Sequence, residues 1–181
     1  EELERRRGIP VGSIKVSLLL ETALGVVNAF PNATASKRVV SVIFGAVDYT
    51  KDMRVKLTSK GHEQLYGRFH VGACARAAGV VALDAPFVAY QDMEAFKENI
   101  LDGRQMGFEG RMLIHPSQIE VANELYSPDP ADVEWAKGVV EAFEKEALAK
   151  GTADISYNGK MVDTPVYLAA KDILSAQEEI D

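Results

Sequence analysis

Two carboxylates stand where predicted strands end. Glu21 follows the apolar run "IKVSLLL" at residues 14–20, and Asp48 comes shortly after "VVSVIFG" at residues 39–45. Short, continuously apolar runs are typical of parallel strands covered on both faces. The carboxyl ends of parallel strands meet at one edge of a sheet, where ligands bind in such folds. Because Mg²⁺ prefers oxygen ligands and keeps only one or two protein carboxylates, this pair could hold the ion.

The same two acids could instead serve the helices that follow the strands. A carboxylate at the N-cap or in the first turn of a helix is stabilised by free backbone N–H groups and by the helix dipole. Spacing alone leaves both interpretations of Glu21 and Asp48 open, capping and metal binding.

Four further side chains have chemistry that could matter. His115 and Asp84 also lie at predicted strand ends, and a structural role is the favoured interpretation of His115. For Asp84, a group that supports the site or faces the substrate and a residue that forms the turn before Pro86 are equal alternatives. Cys74 lies in an alanine-rich helical pattern with no base assigned to it, which favours a small buried residue over a nucleophile. Asp163, in "GKMVDTPV", is predicted to cap the last helix.

Alternating strands and helices must position these residues. Strands are predicted at 14–20, 39–45, 79–86 and 110–116, with helices at 60–79, 90–107 and about 130–150. This alternation predicts right-handed βαβ units and an α/β fold with a parallel sheet. The four strands could form a small open sheet or half of an eight-stranded barrel. The sequence opens at Glu1 without an initiator methionine, so we expect the later part of a longer protein and favour the half barrel.

The pattern changes after residue 151. "TADISYNGKMVDTPV" predicts a hairpin that turns at Asn158-Gly159, and residues 165–180 predict a terminal helix. We therefore expect two domains, with residues 1–151 as the C-terminal half of a barrel and residues 152–181 as a lid or extension.

Composition restricts the class of protein. The 181 residues are 47% hydrophobic and 26% charged, which is typical of a globular protein. Lys plus Arg is 20 and Asp plus Glu is 27, giving a net charge of −7, which argues against nucleic-acid or membrane-surface partners. No apolar run reaches the roughly 18 residues of a membrane span. The single cysteine fits a reducing compartment, so we expect a cytoplasmic protein.

Five separated motifs, taken together, resemble one protein family. "LLLETALGVVNA", "VIFGAVDYTKDM", "GVVALDAPF", "GFEGRMLIHPSQI" and "GKMVDTPV" occur in the order and spacing of the citrate lyase beta subunit-like proteins of the HpcH/HpaI aldolase superfamily. The resemblance implies a TIM (β/α)8 barrel, of which this chain supplies strands five to eight and a C-terminal hairpin–helix extension. It also implies that the first half of the barrel lies upstream or in a partner.

The resemblance assigns roles to individual residues. It implies that Glu21 and Asp48 are the two Mg²⁺ ligands, and that Asp163 enters a neighbouring subunit's site and exchanges a proton with the acetyl-CoA carbon. It further implies a homo-oligomer, a trimer or a hexamer. The residues implied to bind the substrate, the first three through main-chain amides, are Gly45, Ala46, Val47 and Pro86.

The activity implied is that of a carbon–carbon lyase. Such an enzyme cleaves a citryl-, malyl- or citramalyl-CoA thioester into acetyl-CoA and a 2-keto acid by retro-Claisen chemistry. An aldolase acting on a free 4-hydroxy-2-keto acid, or a non-catalytic binding or assembly relative, are the alternatives. Asp163 in its "KMVD" context favours the CoA branch.

Two departures from the family pattern bear on activity. Val47 stands where the family usually has an acid, which changes one charge beside Asp48. The arginine with which the family holds its substrate, on an early strand, has no counterpart in residues 1–181. We therefore expect the missing arginine in an upstream segment or a partner half.

Overall fold

A computed structural model describes residues 1–58, 60–148, 151 and 154–178. Its main sheet has four parallel strands in the order β1-β2-β3-β4. The sheet confirms an α/β fold, and the half-barrel arrangement stays a prediction. The strands are β1 Val16–Leu20, β2 Val39–Phe44, β3 Val81–Asp84 and β4 Gly110–Arg111.

Seven α-helices accompany this sheet within the described part of the chain. The helix predicted at 60–79 begins as a 3₁₀ turn at His62–Gln64, becomes α-helical at Leu65 and ends at Ala78. Gly79 follows in the left-handed conformation with φ 68°, as expected for a glycine C-cap. The helices are α1 Glu2–Arg6, α2 Ala23–Val27, α3 Ala29–Ala33, α4 Ala46–Asp52, α5 Leu65–Ala78, α6 Met93–Gln105 and α7 Ile119–Tyr126.

The fourth strand is much shorter than predicted. The run at 110–116 forms a strand over only two residues and then turns into a 3₁₀ helix at Pro116–Gln118. Two causes end the strand. Pro116 has no N–H for a ladder, and the Gln118 side chain accepts from the backbone N–H groups of Ile114 and His115.

The two faces of the main sheet differ. Leu20, Val42, Phe44 and Ala82 point to one face and are buried in a core that also contains residues of α2, α3 and α5. The alternating residues point to the other face, where Leu19 is 46% exposed. Parallel sheets are normally covered on both faces, so this second face, on which Val39 and Ser41 are buried but Leu19 is not, lacks part of its usual cover in the described chain. We call it the uncovered face.

The remaining elements form a second compact unit, Ser127–Asp181, while the first unit is Glu1–Tyr126. Helix α8 runs from Pro130 to Phe143 and continues as a π-helical turn, Glu144–Leu148. Strands β5 Asp154–Tyr157 and β6 Lys160–Asp163 pair antiparallel around the predicted turn at Asn158-Gly159, and α9 spans Thr164–Glu178. This confirms the predicted hairpin and terminal helix.

The unit boundary differs from the predicted domain boundary. Ala136, Val139 and Phe143 of α8 pack in one core with residues of the hairpin and α9. The apolar stripe of α8 therefore belongs to the second compact unit. The assignment of residues 1–151 to a half barrel stays a prediction. No described helix has both the length and the apolar character needed to cross a membrane.

A buried carboxylate ties α1 to the start of the sheet. Glu4 is only 1% exposed, and its two oxygens accept from the Arg38 guanidinium at 2.6 Å. The backbone N–H groups of Gly12 and Ile14 also donate to it. The Arg38 guanidinium and these amides hold the pKa of the Glu4 carboxyl well below its usual value, although burial alone would raise it.

This lowered pKa makes stability depend on pH. The stabilising contribution of Glu4 is present above the pKa of the unfolded chain, about 4.3, and is lost as the pH falls below it. We expect the free energy of unfolding, measured by urea denaturation, to fall more for the wild type than for Glu4→Gln between about pH 7 and about pH 3. Glu94→Gln, at an exposed carboxylate paired with Lys97, should follow the wild type. Equal losses in the wild type and Glu4→Gln would contradict the role of Glu4.

Candidate active site

The parallel register of β1 and β2 places Glu21 beside Gly45. Leu20 is the partner of Phe44, and the Gly45 N–H donates to the Leu20 carbonyl at 3.0 Å. A Cβ atom at Gly45 would lie 2.5 Å from the Glu21 Cβ and 3.3 Å from its Oε2. Only glycine allows the half-buried Glu21 side chain this close approach.

Glu21 does not cap the helix that follows it. Thr22 is the N-cap of α2, and its Oγ1 accepts from the Gly25 N–H at 3.0 Å. Asp52 accepts from the Ala23 N–H at 2.7 Å. Other side chains therefore serve these amides of the first turn, and the capping interpretation of Glu21 is wrong.

Asp48 lies in the first turn of α4, which begins directly after Gly45. The first-turn interpretation is thus confirmed for its position, and the carboxylate is exposed. Among the described residues, neither Asp48 nor Glu21 has a hydrogen-bond or ion-pair partner for its side chain. Two unpaired carboxylates, one at the end of β1 and one in the first turn of the helix after β2, suit a hard cation, whose remaining ligands would be water and substrate. The metal-ligand assignment stays a prediction, but the residues present fit it.

The described residues contain no group of three or more His, Cys, Asp or Glu side chains that could hold a metal ion. A structural zinc site, which takes four ligands of these types, is therefore not built by this part of the chain. A site based on two carboxylates stays consistent with this finding.

Asp84 is held in a buried ion pair. Arg68 donates to both oxygens of Asp84, through Nε at 3.2 Å and through a shorter contact from Nη2. The Ala85 N–H also donates to Asp84 Oδ1, at 2.8 Å. Asp84 therefore anchors helix α5 to the end of β3. Sequence reasoning did not single out Arg68, although a basic residue on the apolar stripe with Val71 and Ala75 was a usable signal.

Arg111 is a second site residue that sequence reasoning missed. Its Nη2 donates to the Ala85 carbonyl at 2.7 Å and to Asn99 Oδ1 at 2.8 Å. Its guanidinium carbon lies 5.1 Å from the centroid of the Phe96 ring, a cation–π contact. Nε and Nη1 are buried without a hydrogen-bond partner in the described chain. Burial lowers the pKa of Arg111.

A cavity of about 450 Å³ joins part of the predicted substrate site. Ala46, Val47 and Pro86 line it, together with Arg68 and Arg111. Val47 is 47% exposed in the first turn of α4. The cavity lining does not include Gly45, Glu21 or Asp48. Gly45 directly precedes Ala46, and the Glu21 side chain lies against Gly45.

His115 has a structural role. Its Nδ1 accepts from the Ser117 N–H at 3.2 Å, so the imidazole caps the 3₁₀ helix at Pro116–Gln118. The ring also stacks on Tyr90, with 4.5 Å between centroids. The predicted structural histidine is confirmed.

Cys74 and Asp163 were singled out from the sequence and lie in the two separate units. Cys74 is half-buried on α5, and its Sγ lies 3.6 Å from Nε2 of His70, one turn earlier. The sequence pattern assigned no base to Cys74, and this prediction is wrong.

Asp163 ends β6, and its Oδ1 accepts from the Val166 N–H at 3.2 Å. This confirms Asp163 as the cap of α9.

Comparisons with known proteins agree with the resemblance. Residues 1–116 match the HpcH/HpaI aldolase/citrate lyase family. Over 173 residues the chain is 41% identical to the citrate lyase subunit beta of Leuconostoc mesenteroides subsp. cremoris, covering 96% of this chain and 57% of that protein. Over 166 residues it is 36% identical to a (3S)-malyl-CoA thioesterase of Cereibacter sphaeroides, and the match covers 90% of this chain and 56% of that protein.

A solved structure gives the same result. The fold matches the crystal structure of CitE from Mycobacterium tuberculosis in complex with magnesium, acetoacetate and coenzyme A, with a TM-score of 0.76 and 30% identity. The match covers 91% of this chain and 61% of that one. The chain spans a little over half the length of the relatives it matches. By the match to its first 116 residues, the chain belongs to the HpcH/HpaI aldolase/citrate lyase family.

Proposed function

We propose that this chain forms the catalytic part of an Mg²⁺-dependent carbon–carbon lyase. The substrate is a hydroxyacyl-CoA thioester of the citryl-, malyl- or citramalyl-CoA type, and the products are acetyl-CoA and a 2-keto acid. The observation that carries this proposal is a pair of unpartnered carboxylates: Glu21 lies at the end of β1 against Gly45, and Asp48 lies in the first turn of the helix that begins after Gly45. A fold match of 30% identity to a protein bound to magnesium, acetoacetate and coenzyme A supports it.

The reaction balances without an added oxidant or reductant. The bond between the thioester α-carbon and the hydroxyl-bearing carbon breaks. The hydroxyl loses its proton and becomes the keto group, while the bonding electrons pass to the α-carbon and form an enolate of acetyl-CoA. Protonation of that carbon completes the reaction. The site must therefore orient the keto-acid half, accept one proton and deliver one proton.

Glu21 and Asp48 would hold Mg²⁺, which when bound polarises the hydroxyl or carbonyl oxygen of the keto-acid half. The backbone N–H groups of Ala46 and Val47 would hold the carboxylate of that half. The Gly45 N–H, which the resemblance also assigns to this role, already donates to the Leu20 carbonyl. The first N–H groups of a helix have no partner within the helix, and those of α4 start at this point. Pro86, across the same cavity as Ala46 and Val47, would form a wall of the substrate site.

Asp163 would deliver the proton to the enolate carbon in the site of a neighbouring subunit. The N–H of Val166 donates to one of its oxygens, which keeps the side chain in place and leaves the other oxygen available. An acid that acts in a neighbour's site requires a homo-oligomer, and we propose a trimer or a hexamer. We also propose that the protein works in the cytoplasm.

Further strands would complete the fold. The uncovered face of the main sheet exposes apolar side chains, including Leu19 and Val81. Burying such surface contributes about 25 cal/mol per Å². We propose that a first half barrel, upstream in the same protein or on a partner, covers this face and supplies the arginine that holds the substrate.

The activity itself can be tested with Glu21→Gln and Asp48→Asn. Each change keeps the side-chain size and removes one charge, so cleavage of malyl-, citramalyl- or citryl-CoA by the complete protein should fall about 100-fold or more. Mg²⁺ affinity, measured by titration calorimetry, should fall with it. Asp52→Asn is a matched control, since its amide oxygen still accepts from Ala23.

Two results would reject parts of this proposal. Full activity and Mg²⁺ affinity in both variants would show that the metal assignment is wrong. A wild type that cleaves free 4-hydroxy-2-keto acids but no thioester would show an aldolase instead.

Gly45→Ala tests the same site through the backbone. Its Cβ would overlap the Glu21 Cβ, so the Glu21 carboxylate must move. We expect Mg²⁺ affinity to fall about tenfold while the protein stays folded, as seen by circular dichroism. Gly110→Ala is a suitable control because its Cβ would meet only a terminal methyl of Leu83. Unchanged Mg²⁺ affinity in Gly45→Ala would show that Glu21 is not a ligand of the metal.

Asp163→Asn separates proton delivery from capping. The amide oxygen of Asn can still accept from Val166, so α9 should keep its cap. We expect kcat to fall roughly 100-fold, within the range for loss of a general acid, with Mg²⁺ affinity unchanged. Normal kcat in Asp163→Asn, with the unfolding temperature unchanged, would reduce Asp163 to a cap.

A further inference from the structure

The segment at residues 85–87 is irregular backbone that forms one wall of the cavity. It directly follows β3, and the same cavity is lined by Ala46 and Val47. Pro86 has no N–H, so the middle of the segment cannot donate to a neighbouring strand. The position of this wall therefore depends on what holds the carbonyl groups on either side of Pro86.

Arg111 holds the first of these carbonyls. Its Nη2 donates to the Ala85 oxygen at 2.7 Å. The same atom donates to Asn99 Oδ1 of α6 at 2.8 Å, and the guanidinium lies over the Phe96 ring. Two contacts with α6 thus fix the donor. The Ala85 N–H is fixed separately by the Asp84 carboxylate.

Gln118 holds the second carbonyl. Its Nε2 donates to the Phe87 oxygen at 3.0 Å, and the side chain is 0% exposed. Its Oε1 accepts from the N–H groups of Ile114 and His115 at 3.1 and 3.3 Å. These bonds assign the orientation of the Gln118 amide. In the opposite orientation its NH₂ group would face the N–H donors of Ile114 and His115, and its oxygen would face the Phe87 carbonyl.

Both bonds reach the wall from β4 and the turn after it. We propose that Arg111 and Gln118 are positioning residues, which fix residues 85–87 as a wall of the substrate cavity and so set the affinity for the substrate. This inference rests on the proposed function for the identity of that substrate, the CoA thioester. Neither side chain takes part in the proton transfers.

A purely structural role makes a different prediction. Loss of a buried hydrogen bond that only stabilises the fold lowers the free energy of unfolding but leaves the folded enzyme with its normal KM. Loss of a contact that places a binding wall weakens ground-state and transition-state binding alike, which raises KM and leaves kcat unchanged. The split between KM and kcat therefore distinguishes the two roles.

Steady-state kinetics of the complete protein, with the thioester that the wild type cleaves, provide the first readout. Gln118→Glu keeps the acceptor for Ile114 and His115 and replaces the donor to Phe87 by an oxygen, which also places an acidic group in a buried site. Arg111→Ala removes the donor to the Ala85 carbonyl, whereas Arg111→Lys keeps a cationic N–H donor at this position. We expect KM to rise about tenfold in Gln118→Glu and Arg111→Ala and less in Arg111→Lys, with kcat within about twofold.

The matched control is Arg104→Ala. Arg104 also donates to a backbone carbonyl, that of Leu125 at 2.6 Å, but it does not line the cavity. It should keep the wild-type KM. Mg²⁺ affinity should stay unchanged in all four variants, because the proposed metal ligands are untouched.

Amide hydrogen exchange provides a readout that needs no activity. Peptides covering residues 85–89 should exchange faster in Arg111→Ala and Gln118→Glu than in the wild type and Arg104→Ala. Unchanged exchange there would overturn the proposal, as would faster exchange with an unchanged KM. A wild type without lyase activity would instead contradict the proposed function, and the exchange data would then decide by themselves whether the two residues hold the wall.

Discussion

The parallel register between β1 and β2 is the constraint on which the candidate site depends. Because Leu20 is the partner of Phe44, the next residues along each strand, Glu21 and Gly45, meet at the edge of the sheet. Successive side chains of a strand point to opposite faces, so a slip of one residue would turn Glu21 toward the helices. The missing Cβ of Gly45 makes room for the Glu21 side chain. Helix α4 then starts at once and brings Asp48 within its first turn.

A second constraint acts on the other side of the site, where two arginines surround one carboxylate. Arg68 and Asp84 form a buried pair, and Arg111 is bound to the next carbonyl along the chain. Taking these charges out of water is costly, and replacing a buried ion pair by apolar residues of similar volume is often neutral or stabilising. What the charged groups provide is directional hydrogen bonds that allow one arrangement of β3, α5 and α6. A wall placed by such bonds has a defined position although it has no regular secondary structure.

Local patterns predicted the elements well, and long-range partners were not predictable. Apolar runs identified all four strands, and glycine chemistry identified the end of α5 at Gly79 and the turn at Asn158-Gly159. These features depend on neighbours in the chain. The partners of Arg68 and Arg111 lie 16 and 26 residues away, and no periodicity encodes such pairings. Gln118 shows the same limit in its bond to Phe87, 31 residues away. Its bonds to Ile114 and His115 help to end a strand that the sequence predicted to continue.

The uncovered face of the sheet connects the fold with the chemistry. Continuously apolar strands are typical of sheets buried on both sides, yet the face away from α5 is covered only in part in the described chain: Ser41 is buried there, while Leu19 and Val81 are exposed. Glu21 continues the alternation of Ser17 and Leu19, so it points to the uncovered face. Whatever covers that face would also enclose the proposed metal site. Water exclusion strengthens electrostatic interactions at a reaction centre, because the local dielectric constant falls. Completion of the apolar core and formation of a competent active site would therefore be a single event.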